Sequence, residues 1–124
     1  MKIVDRETFL SLPPGTVYAE FNGELEFESL NIMYGGQDFG DHSFWSSQEL
    51  GPWSCETITA DDGMPFLAVQ AMAKGEGRGF DQNCAGRDED YHESPRKFCV
   101  FDNDDVRKLR DLLTEALVLT GGEA

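Results

Sequence analysis

Two β-rich runs flank an Asn-Gly pair near the start of this chain, and they limit its fold more than any other feature. Thr16-Val-Tyr-Ala-Glu-Phe21 and Glu24-Leu-Glu-Phe-Glu-Ser-Leu30 stand on either side of Asn22-Gly23. Asn and Gly tolerate the positive φ that a tight turn between antiparallel strands requires, so the pattern predicts a β-hairpin. Turn length decides the register. A two-residue turn pairs Phe21 with Glu24 and sets Val17, Ala19 and Phe21 on the face opposite Leu25 and Phe27. A three-residue loop pairs Phe21 with Leu25 and gathers all five apolar residues on one face. One residue of slip flips every side chain, and shared burial of the five favours the longer loop or a bulge. In either register Glu24, Glu26 and Glu28 share one face of their strand.

The remaining elements follow from caps, breakers and periodicity. Asp5 can cap a short helix, Arg6 to Leu12, which Pro13-Pro14-Gly15 stops. Leu30 to Tyr34 extends the hairpin's second strand or starts another, and Gly35-Gly36 is expected to break it. Ser43 to Ser47 reads as a strand ended by Gly51-Pro52. Cys55 to Thr59 is a short candidate strand, and Asp61-Asp62-Gly63 a turn. Pro65 to Met72 is apolar and fits a buried strand or a short helix, with Phe66, Leu67 and Val69 favouring the strand. Lys74 to Arg96, with Gly75, Gly77, Gly79 and Gly86 and the charged run Arg87 to Glu93, reads as a long loop.

Lys97 to Phe101 makes a good final strand, and Cys99 within it a core cysteine. The next segment carries the clearest helix. Asp102 or Asn103 caps it, and Asp104 and Asp105 complement the positive end of its dipole. Val106, Leu109, Leu112, Leu113, Ala116 and Leu117 fall on one stripe, and Gly121-Gly122 ends it. The expected architecture is α+β: a small antiparallel β-sheet, a C-terminal helix packed on one face and a short N-terminal helix, forming one domain over residues 1–124.

Charge separates the chain into two halves. From Glu7 to Ala73, 67 consecutive residues hold eleven carboxylates and neither Lys nor Arg, within a chain of net charge −14. Such a half repels nucleic acid and anionic membrane and attracts basic surfaces, or serves solubility alone. Nine Phe, three Tyr and two Trp argue against disorder. No apolar run approaches a bilayer span and no signal peptide is recognisable, so a cytoplasmic protein is expected. Three widely spaced cysteines suggest neither a disulfide framework nor a metal knuckle.

Several groups of residues are candidates for function. Glu24, Glu26 and Glu28 on one strand face would stand about 6.7 Å apart, a row that imitates successive phosphates. With Glu20, Asp38 and Asp41 they form the candidate partner-binding set. Lys74-Gly-Glu-Gly-Arg-Gly79 offers an alternative: a glycine loop whose Lys74 and Arg78, with Arg87, could hold an anionic ligand such as a nucleotide. It fits neither Walker A nor the dinucleotide fingerprint.

Cys84, Asp88, Asp90 and His92 are metal-capable types but lack the spacing of a calcium loop or a zinc site. No metal or cofactor is expected. Asp41-His42-Ser43 places three catalytic types in sequence, but neighbours on a strand point to opposite faces, so no enzyme activity is expected. Phe39, Phe44, Trp45 and Trp53 read as core. One of the Trp residues, if exposed beside Asp38 and Asp41, would resemble an interface anchor with an acidic rim.

The opening, Lys2-Ile-Val-Asp-Arg-Glu-Thr-Phe-Leu-Ser-Leu-Pro-Pro-Gly-Thr-Val-Tyr18-Ala-Glu-Phe21, resembles the start of small acidic proteins of bacteriophages and prophages. In those a Phe-Leu-x-Leu-Pro-Pro-Gly-Thr-Val-Tyr segment leads into a β-rich middle and a final aromatic strand, acidic cap and Leu-rich helix, as from Phe98 to Leu119 here. The resemblance implies a context and no residue roles: small acidic phage proteins often act against host restriction, CRISPR or signalling defences. The expectation is a non-enzymatic inhibitor in the host cytoplasm, binding the basic, nucleic-acid-binding surface of a host protein, with no direct contact to nucleic acid or membrane. The alternatives are a sponge for a nucleotide signal, built as a homo-oligomer, and a phage accessory or structural protein.

Overall fold

The structure is a computed structural model that describes residues 1–23, 26–51, 58–59, 64–80, 85–91 and 96–122. The calls on Cys55, Asp61-Asp62-Gly63, Trp53, Cys84, His92 and Glu24 lie outside the described residues. In chain order the elements are β1 (Lys2–Asp5), α1 (Arg6–Leu10), β2 (Thr16–Phe21), β3 (Phe27–Asp38), β4 (His42–Glu49), α2 (Pro65–Ala73), β5 (Ala85–Tyr91), β6 (Lys97–Phe101) and α3 (Asn103–Leu119). The six described strands form one sheet in the order β1-β6-β2-β3-β4-β5, with every pair antiparallel. The α+β class expected from the sequence is the observed one.

The sheet is not flat. β1 and β5 are its two ends, yet Arg6, the residue after β1, donates from Nη1 to Asp90 Oδ2 at 2.9 Å and to the Tyr91 carbonyl at 2.8 Å in β5. Trp45 of β4 and Phe98 of β6 have two strands, β2 and β3, between them, and their ring centroids are still only 5.4 Å from each other. The sheet therefore coils until its ends approach, and its concave face becomes an interior.

That interior is aromatic. Phe9, Tyr18, Met33, Trp45, Phe98 and Val100 form the buried cluster, with Val4, Leu10 and Leu12 packed against it. Phe9 reaches in from α1, stacks on Phe98 at 4.1 Å and meets Tyr18 and Trp45 edge-on. Trp45 donates its indole N–H to the Tyr18 hydroxyl at 2.9 Å, so both buried polar atoms are satisfied. α1 is only five residues long, too short to be stable alone. It is held by Phe9 and by Asp5, which accepts from the Thr8 N–H at 2.8 Å, as the cap reading expected.

The hairpin loop is longer than either register considered above. Phe21 pairs with Phe27, Ala19 with Leu30, and the register shifts between them. The Asn22 N–H donates to the Glu26 carbonyl at 3.3 Å, so Glu26 belongs to the loop. The bulge lets Val17, Ala19, Phe21, Phe27, Leu30 and Ile32 share the convex face. Glu26 and Glu28 therefore do not form a straight strand row.

Three other expectations change. Gly35-Gly36 does not break the strand; β3 runs through it with a bulge between Met33 and Gly35, where Gly35 takes φ +135. Gly36 lies under α1, and a Cβ there would stand 2.6 Å from Leu10 Cδ2 and 2.8 Å from the Phe44 carbonyl oxygen. Gly36→Ala should cost about 1–3 kcal/mol in a urea titration, because the backbone oxygen cannot move aside.

Pro65–Ala73 is a helix, not a strand. Proline at the first helical positions is pre-set for that conformation. Ala85–Tyr91, read as part of a loop, is β5. Its alternation is hidden because both faces carry charge: Asp88 and Asp90 turn inward while Arg87, Glu89 and Tyr91 turn out.

α3 carries the expected cap. Asp102 accepts from the Asp105 N–H at 2.8 Å, and Asp105 accepts from the Asp102 N–H at 3.2 Å. Only the first turns approach the sheet, where Asp105, Val106 and Leu109 are half-buried. No residue of α3 is fully buried, so the packing of its stripe on a sheet face is confined to that end. Among the described residues no helix is long and apolar enough to cross a membrane.

Candidate functional site

Alternation along β4 sorts its side chains between the two faces. Ser43 and Trp45 are buried in the concave interior, and His42 and Phe44 stand on the convex side. The cross-strand partner of His42 is Tyr91, and that of Phe44 is Glu89. The β3–β4 turn adds Phe39, whose N–H donates to the His42 carbonyl at 2.8 Å. Gly40 permits this turn with φ +95.

The result is a continuous row of rings on the outer surface. Tyr91 meets His42 at 6.1 Å, His42 stacks with Phe39 at 5.2 Å, and Phe39 stacks with Phe44 at 5.4 Å. Arg87 closes the row with its guanidinium carbon 3.8 Å from the Phe44 ring centre. Phe39 is 51% and Tyr91 62% exposed, which is unusual for large rings already gathered into a cluster.

Carboxylates border this row. Asp41 Oδ1 lies 2.8 Å from His42 Nδ1, and that hydrogen bond holds the Asp41 carboxyl below its ordinary range. Asp38 accepts from the Gly40 N–H at 2.9 Å in the same turn, but it pairs with Ser43 and so belongs to the other face of the sheet. Glu89 stands beside Phe44, with Oε1 3.8 Å from Arg87. An aromatic centre with an acidic margin is thus present, built from Phe39, His42, Phe44 and Tyr91. Trp45 instead fills the core with no exposed surface.

Glu20 has a different place. It pairs with Arg96 at one mouth of the coiled sheet. Arg96 also reaches Asp88 at 3.3 Å and Asp90 at 3.7 Å, and donates to the Glu89 carbonyl at 2.8 Å. Burial depresses the Arg96 guanidinium and raises the Asp88 carboxyl. Arg6 and Arg96 thus occupy the carbonyls of Glu89 and Tyr91 on β5, at the end of the sheet. This cluster closes the fold, and sequence reading missed it because its members lie up to 85 positions apart.

The five described acidic candidates are therefore not one patch. Asp38 and Asp41 share a turn. Glu26 accepts from Asn22 Nδ2 at 3.1 Å in the hairpin loop, and Glu28 lies in the first turns of pleat beyond it. Glu28 and Asp38 stand near opposite ends of β3, roughly 30–35 Å of strand apart. The alternative cations are also apart in role. Lys74 follows α2, Arg78 bonds its own loop through the Gly77 carbonyl and Glu76, and Arg87 lies on Phe44.

Asp41 and His42 meet, but Ser43 is turned to the buried side, so these three form no nucleophilic triad. Among the described residues no group of three or more His, Cys, Asp or Glu could hold a metal ion. Asp88 and Asp90 are engaged by arginines. No family model, curated protein or solved structure matches this chain.

Proposed function

We propose that this chain is a non-enzymatic binding protein that docks on a basic surface of another protein through the convex face of β3, β4 and β5. The observation that carries the reading is the exposed row of Phe39, His42, Phe44 and Tyr91 bordered by Asp41 and Glu89. Aromatic centres supply most of the affinity at protein interfaces, and charged margins supply orientation and rate. A net charge of −14 draws in a cationic partner from a distance. The same charge makes direct binding to nucleic acid unfavourable.

The resemblance to small acidic phage proteins suggests the partner. A host defence protein, such as a restriction or CRISPR effector, must carry a basic groove for nucleic acid. The acidic sheet would occupy that groove in place of phosphates. Glu26 and Glu28, a strand length away from the rings, could extend the contact along it.

The test is displacement of labelled duplex DNA from purified restriction and CRISPR effectors. The chain should displace DNA from its target, and its affinity should fall steeply as salt rises from 0.1 to 1 M, where the screening length drops from about 10 to about 3 Å. Phe39→Ala and Tyr91→Ala should each weaken binding by more than tenfold. Displacement that ignores both salt and these rings, or none with any effector, would remove the proposal.

A further inference from the structure

α3 is the longest described helix, and the fold leaves most of its apolar side uncovered. It has 17 residues and buries none of them. Leu112, Leu113 and Leu119 are 62%, 70% and 78% exposed. At 3.6 residues per turn these three, with Ala116 and Leu117, continue the stripe that Val106 and Leu109 begin against the sheet. Monomeric proteins rarely expose an apolar strip of this extent.

The charges on the helix indicate what covers it. Four carboxylates (Asp104, Asp105, Asp111, Glu115) face three cations (Arg107, Lys108, Arg110), so α3 carries net −1 in a chain of −14. Two copies that meet along α3 therefore bring little of the chain's net charge together. Asp104 pairs with Arg107, Asp111 with Arg110, and Asp105 with the amino group of Met1. Among the described residues Lys108 and Glu115 are the helix charges with no ion-pair partner.

These two stand seven residues apart, two turns, on the same flank of the stripe. When two identical helices pair antiparallel about a two-fold axis, like flanks face each other. Lys108 then meets the partner's Glu115, and Glu115 meets the partner's Lys108. A parallel pair would bring the cation-rich first turns of both copies to one level.

We propose that the uncovered apolar side of α3 pairs antiparallel with α3 of a second copy of this chain, with Leu109, Leu112, Leu113 and Ala116 in the seam and Lys108–Glu115 bridges on its flank. The dimer would carry two binding faces on its two sheets.

Sedimentation equilibrium on the full chain tests this. The wild type should have twice the mass of the 13.9 kDa chain at micromolar concentration. Leu112→Glu with Leu113→Glu should give a monomer whose sheet still unfolds cooperatively. Lys108→Glu should weaken the dimer about tenfold, since two like-charge contacts replace two bridges. Adding Glu115→Lys to Lys108→Glu should restore it. If the leucine variant fails to fold, the charge-swap pair, on exposed residues, still decides. A wild type that stays monomeric at every concentration measured, or a swap that restores nothing, overturns the proposal.

Discussion

Phe9→Ala should lower the unfolding free energy by about 3–5 kcal/mol, read from the urea midpoint at constant slope. That is a large share of the roughly 5–15 kcal/mol that holds an ordinary domain together. The size of the effect follows from where the ring sits. Phe9 has no exposed surface and touches Tyr18, Trp45 and Phe98 at once, so its removal opens a cavity bounded by rings from three strands. Those rings are fixed by the sheet and cannot collapse into the space. The short helix that carries Phe9 has no other fully buried side chain, so its protection from amide exchange should vanish with the ring. A loss below about 1 kcal/mol would show that α1 is an ornament on a core complete without it.

Arg6→Met should cost about 3–5 kcal/mol for a different reason. Asp90 is 3% exposed and takes its closest bond from Arg6. Among the described residues, removing that cation leaves the buried carboxylate with the longer contact to Arg96 alone. The Tyr91 carbonyl loses its donor as well. The loss should fall mainly on β5, seen as faster hydrogen exchange along Ala85–Tyr91. The double variant Arg6→Met with Asp90→Leu should recover most of the stability, because an apolar pair of similar size needs no compensating charge. If the double variant is as unstable as the single one, the arginine acts through packing and not through its charge.

Local chemistry was legible where it is local in sequence. The Asn22-Gly23 hairpin, the final strand Lys97–Phe101 and the Asp102 cap depend on neighbours within a few positions, and each was readable. The failures have one physical origin. β5 looked like a loop because Asp88 and Asp90 stand where apolar residues would mark an inner face. Of their counterions, Arg96 is near in sequence but Arg6 is 84 positions from Asp90, and nothing local marks either as an inward-facing partner. β1 was missed because four residues, Lys2–Asp5, are too few to show alternation. The ring surface was half visible: Phe39, Phe44 and Asp41 were singled out. Tyr91 and Glu89 join them only through the pairing of β4 with β5, and His42 was weighed as a catalyst instead of a ring.

The coiled sheet also sets the order in which this chain can acquire its structure. β1 at residues 2–5 pairs with β6 at residues 97–101, and Arg6 waits for residues 90 and 91. A ribosome releases the N-terminal part first. For most of synthesis, therefore, a newborn chain holds an acidic stretch whose countercharges have not yet been made. Mutual repulsion should keep that stretch extended and soluble, and early collapse onto wrong partners is disfavoured. Folding then becomes a late event set by the distant pairings, in the millisecond-to-second range of such topologies.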